Sequence, residues 1–114
     1  MDTTTAHAVR NEVRLAGVLP ADPEVRVLPS GDELVVFRVA VPREVPPGSR
    51  RVTDSLECVA REGRTRRTVS AWNAGDAVEV SGTLHRRFFR GGDGPASRVE
   101  VEVSSARRQR RAPA

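Results

Sequence analysis

His85, Arg86, Arg87, Phe88, Phe89 and Arg90 stand side by side in the chain, and no other stretch joins cations and aromatic rings so closely. A guanidinium pairs with phosphate and an exposed ring stacks on a base, so this combination suits contact with a single nucleic-acid strand. On an extended strand the faces alternate, which places Phe89 with His85 and Arg87, and Phe88 with Leu84 and the expected core. Phe89 is therefore the stacking candidate. Phe88 is a candidate for the same contact, although its parity favours closing the core. Arg38, Arg43 and Arg61 extend the candidate cationic set beyond this segment.

Other chemistries lack their residues. His85 and His7 have no third and fourth ligand at metal-like spacing, so no metal is expected. The sequence holds no paired-carboxylate motif, no Ser-His-Asp logic and no phosphate-cradling glycine loop, and neither an enzyme nor a cofactor is expected. Cys58 is the single cysteine. Flanked by Leu56 and Ala60, it reads as a small buried apolar residue. All 19 basic residues are arginine against 15 acids, a formal charge of +4. That balance favours a polyanionic partner only where the charge is localised. No apolar run approaches the roughly 20 residues of a membrane helix, and the N-terminus has no apolar signal region, so a cytoplasmic protein is expected.

Alternating apolar residues define the elements that must position these groups. Val13, Leu15, Gly17 and Leu19 are spaced by two, as are Val35, Phe37, Val39 and Val41, then Val78, Val80, Gly82 and Leu84, and finally Val99, Val101 and Val103. Each run predicts a half-buried strand. A further strand fits Asp54 to Ala60, and Glu62 to Asn73 has weak helical character with Gly75 as its stop. Pro29 to Asp32 and Arg90 to Pro95 read as hairpin connections, and Pro42 to Arg51 as a projecting loop. Trp72, sharing a helix with Val69, is expected to plug an open end of the core, and Phe37 to lie inside it. Five strands with one short helix between strands three and four is the order of an OB-fold, an all-β, partly open Greek-key barrel. The organisation predicted is an N-terminal arm over residues 1–10, one domain over 11–105 and a basic tail over 106–114.

The same residues resemble the bacterial single-stranded DNA-binding protein family. Asn11, Val13, Leu15, Gly17 and Leu19 look like its opening strand, and Asp22 to Arg26 match its turn and short strand. Ser30 and Gly31 fit its next turn, and Phe37, Ala40 and Val41 its second long strand. Gly75, Asp76, Val78, Val80, Gly82 and Leu84 fit the helix exit and fourth strand, with Arg87 and Phe89 close behind. The resemblance implies non-sequence-specific binding of single-stranded DNA in replication, repair or recombination. It also implies a homotetramer or homodimer and an aromatic contact at Phe89. Two departures stand out. Where the family presents rings on its third strand, this chain has Ser55 and Arg61 with Glu57 between them, and its C-terminal residues carry no acid where the family has an acidic tip. The missing rings leave a second reading open, in which the domain binds RNA or a full-length relative that it modulates.

Overall fold

The computed structural model describes residues 7–113, so most of the expected N-terminal arm lies outside the described residues. Every alternating run becomes a strand with its apolar parity turned inward. The elements are β1 (Val13–Val18), β2 (Glu24–Val27), β3 (Glu33–Pro42), β4 (Thr53–Ala60), α1 (Gly63–Ser70), β5 (Ala77–Gly91) and β6 (Gly94–Arg110). They form one six-stranded sheet in the order β1-β5-β6-β4-β3-β2, and a pairing of β1 with β3 at Val18 and Ala40 closes it into a ring. Only β4 and β6 run parallel, which requires the crossover through α1 and β5 between them.

The closure depends on two glycines. A Cβ on Gly17 would fall on the carbonyl oxygen of Ala40 where β1 crosses β3, and one on Gly82 would fall on the carbonyl oxygen of Glu102. Gly82 adjoins a bulge: Ser81 pairs with Ser105 and Gly82 with Val103, leaving Ser104 unpaired. Such a bulge bends the strand and re-aims the residues beyond it.

Inside the ring pack Leu19, Val35, Phe37, Val39, Cys58, Val78, Val80, Val101 and Val103. Trp72 closes one end, its ring edge-on to Phe37 with centroids 5.7 Å apart and planes at 88°. The expectation for both rings holds. Helix α1 is shorter than the Glu62 to Asn73 span predicted for it, because Ala71 already ends it. A helix of eight residues with no side-chain cap and no acid in its first turn is held by burial of Thr65 and Val69.

Three expectations change. The strand count among the described residues is six, because Glu24–Val27 pairs along Glu33–Val36 of β3 as a short edge strand. The Arg90 to Pro95 connection tightens to Gly92 and Asp93, with strand on both sides. The segment read as a basic tail is strand as far as Arg110, pairing with the start of β5. Its anchor is Asp76, a buried carboxylate that accepts hydrogen bonds from the backbone N–H of Ala112 at 2.7 Å and of Asn73 at 2.9 Å, and pairs with Arg108.

Candidate nucleic-acid interface

The inward parity of β3, β4 and β6 assigns the opposite parity to the outer face of the sheet. Arg38 on β3 lies opposite Glu57 on β4, and Val36 opposite Val59. Val59 in turn lies opposite Glu102 on β6, and Arg98, Glu100 and Glu102 lie opposite Arg87, His85 and Thr83 on β5. Residues directly opposite in a ladder share a face. One continuous surface therefore runs from β2 across to the outer end of the β5–β6 hairpin.

Its floor is apolar and its walls are charged. A hollow of about 220 Å³ is lined by Leu34, Val36 and Val59, with Arg26, Arg61, Arg87, Arg98 and Glu100 around them. A neighbouring hollow of about 240 Å³ adds Arg38 and Glu57 and shares Arg26 and Val36. Arginines here alternate with carboxylates. Arg87 donates from Nε to Glu100 at 2.7 Å, and that carboxylate is only 2% exposed. Arg61 lies 3.5 Å from Glu102, and Arg98 lies 3.5 Å from Glu57 and 3.9 Å from Glu100. Arg38 has no carboxylate partner among the described residues. At the end of the face the Arg98 guanidinium carbon sits 5.4 Å from the centroid of the Phe89 ring, which is 46% exposed.

Of the residues singled out from sequence, the fold brings Arg38, Arg61, His85, Arg87 and Phe89 onto this face. His85 is exposed and shares a hydrogen bond of 2.8 Å with the Thr83 hydroxyl. Arg86, Phe88 and Arg90 point to the other side of the hairpin, where Arg86 donates to the Ser97 hydroxyl at 3.1 Å. Arg43 leaves β3 at the start of the loop and grips Asp54 with two hydrogen bonds of 3.0 and 3.1 Å. That grip holds the Asp54 carboxyl below the usual range and raises Arg43.

The core reading of Phe88 is overturned, since its ring is 78% exposed. Parity was sound, but β5 and β6 run past the end of the core, so among the described residues the inner side of the hairpin is left uncovered there; Leu84 and Val99 on the same side are exposed as well. Sequence reasoning missed Arg98 and the three acids Glu57, Glu100 and Glu102 as one cluster. The signal was present in the complement of the Val99, Val101 and Val103 alternation. Among the described residues no three of His, Cys, Asp and Glu group to hold a metal ion.

Residues 10–109 match the model of the Single-strand binding protein family. The chain is 33% identical over 92 residues to a single-stranded DNA-binding protein of Chlamydia muridarum, covering 80% of this chain and 57% of that one. It is 32% identical over 97 residues to a single-stranded DNA-binding protein of Oceanobacillus iheyensis, covering 84% of this chain and 60% of that one. It therefore spans between half and two thirds of the length of these curated relatives. Its fold is similar to that of a solved Plasmodium falciparum SSB complex with ssDNA, with a TM-score of 0.78 at 20% identity over 91% of this chain and 98% of the other. The shared architecture is the OB-fold expected from the order of elements.

Proposed function

The chain belongs to the single-strand binding protein family, and on that premise we propose that it binds single-stranded DNA without sequence preference along the outer face of the sheet. The observation that carries this reading is the joining, on one continuous surface, of an apolar floor, several arginines and the half-exposed ring of Phe89. Guanidinium groups meet phosphates, and the ring accepts any base because every base has a π-face. On this reading the protein acts by binding. Strands exposed in replication, repair or recombination are its substrates, in the cytoplasm and on the nucleoid. No helix among the described residues is long and apolar enough to cross a membrane.

The protein works as a homo-oligomer, a tetramer or a dimer. Supporting this, β5 pairs along one edge of β1 while β3 meets the other at one residue pair only, so that second edge is unpaired from Val13 to Gly17 within the described residues. Val18 is exposed on its outer side. Open edges of this kind pair with another chain.

The test is affinity for oligo-dT across a salt series, with duplex DNA and matching RNA as competitors. Arg38 and Arg61 are the arginines to remove, because the loss of neither removes the hydrogen bond of a buried carboxylate, as loss of Arg87 would for Glu100. The double variant Arg38→Gln, Arg61→Gln is expected to lower the slope of log K against log salt by at least about 0.7, the contribution of Arg38 at one phosphate of a single strand, with a smaller share from Arg61 because Glu102 already engages it. A folded double variant with the wild-type slope would move the phosphate path off this face.

A further inference from the structure

The Arg98 guanidinium stands between a carboxylate and an aromatic ring. It is 3.5 Å from Glu57 and 3.9 Å from Glu100, and 5.4 Å from the centroid of Phe89. In this place it covers the ring that a base would stack on, and its charge is spent on protein carboxylates. Its tether is weak compared with its neighbour's. Arg87 holds the buried Glu100 through a hydrogen bond of 2.7 Å, whereas Arg98 approaches two carboxylates without a hydrogen bond to either and is 48% exposed. The Glu57 carboxylate is 15% exposed, and among the described residues Arg98 is its one cation within 4 Å. A charge held at that distance on a half-exposed side chain exchanges readily for a better partner.

We infer that Arg98 is a held-back phosphate ligand and that Glu57 is the residue limiting the affinity of this face: an incoming strand must draw Arg98 away from Glu57, and in doing so uncovers Phe89 for a base. Phosphate contact and ring contact are thereby coupled in one exchange. A strand supplying both a phosphate and a base makes the exchange favourable, whereas a polyanion without accessible bases gains only half of it. The inference rests on the proposed binding of single strands to this face.

Glu57→Gln keeps the shape of the side chain and removes its hold. One more available arginine should steepen the slope of log K against log salt by about 0.7, which is roughly 5-fold tighter binding of oligo-dT at 0.1 M salt relative to 1 M. Combining it with Arg98→Gln should abolish the gain, because the effect runs through that one side chain. Glu12→Gln, an equal charge change next to Arg10 at a residue that lines neither hollow, should leave the slope alone. Arg98→Gln by itself should lower the slope by much less than 0.7, an expectation independent of how well the Glu57 variant folds. Melting curves for each variant accompany the titrations. A folded Glu57→Gln protein with wild-type slope and affinity, a gain surviving in the double variant, or a full loss of 0.7 in Arg98→Gln would each overturn the inference while leaving single-strand binding intact. If the wild-type protein failed to bind oligo-dT, the proposed function would fall, and the inference with it.

Discussion

Two adjacent phenylalanines carry opposite consequences because a strand turns them to opposite faces. Phe89 shares its face with the arginines, and alanine there should cost roughly 1–3 kcal/mol of oligo-dT binding, as for other stacking rings. Its ring is 46% exposed, so the melting temperature should move little. Phe88, 78% exposed on the far side, should change neither quantity much in the domain itself. Titration and melting on the same preparations check both, and a folded Phe89→Ala protein with wild-type affinity would remove the ring from the interface. Side-chain parity was thus legible in the sequence, as it was for Phe37 and Cys58. Burial raises the Cys58 thiol to about 12, which agrees with an inert core residue. What parity cannot say is where the core ends, and Phe88 lies beyond it.

At the level of elements, alternation marked the five longer strands because each has one face on the core. Glu24–Val27 is exposed throughout and its pattern alone carried no burial signal. The end of β6 was hidden for a different reason. Arg107 and Arg108 look like part of a solvated run until their partners are seen, and those partners, Glu79 and Asp76, are over 25 residues away. Glu79 is held below its usual range chiefly by Arg107, and Asp76 chiefly by the backbone N–H of Asn73. A carboxylate with a depressed pKa in the folded state contributes stability that is present above its unfolded value, near 3.9 for Asp, and lost as pH falls through the folded value. Asp76→Asn should therefore lower the melting temperature at pH 7 and lessen its fall between pH 5 and 2. Melting across that range is the measurement. An unchanged midpoint at pH 7 would mean that the last residues of β6 are held by the strand ladder alone.

For the molecule as a whole, the net charge of +4 is misleading about the proposed interface. The outer face sets Arg26, Arg38, Arg61, Arg87 and Arg98 against Glu24, Glu57, Glu100 and Glu102, so most of the excess lies elsewhere, including Arg50 and Arg51 in the β3–β4 loop and Arg64 and Arg67 on α1. This balance was not legible in the sequence, since the acids come from β2, β4 and β6 and meet the arginines only after the ring closes. On the proposed function, a nearly neutral face would make few net phosphate contacts per domain, and useful affinity would then depend on several domains acting on one strand, where linked sites raise avidity by orders of magnitude without any new contact. The open edge of β1 offers the means to join them. Light scattering at micromolar concentration should accordingly give a mass two or four times that of the 12.4 kDa chain. The same measurement with an oligo-dT long enough to cross several domains should show one assembly per strand, held together at salt concentrations that release a short oligomer. A monomer in both conditions would remove the avidity argument, and the affinity would have to come from a single face.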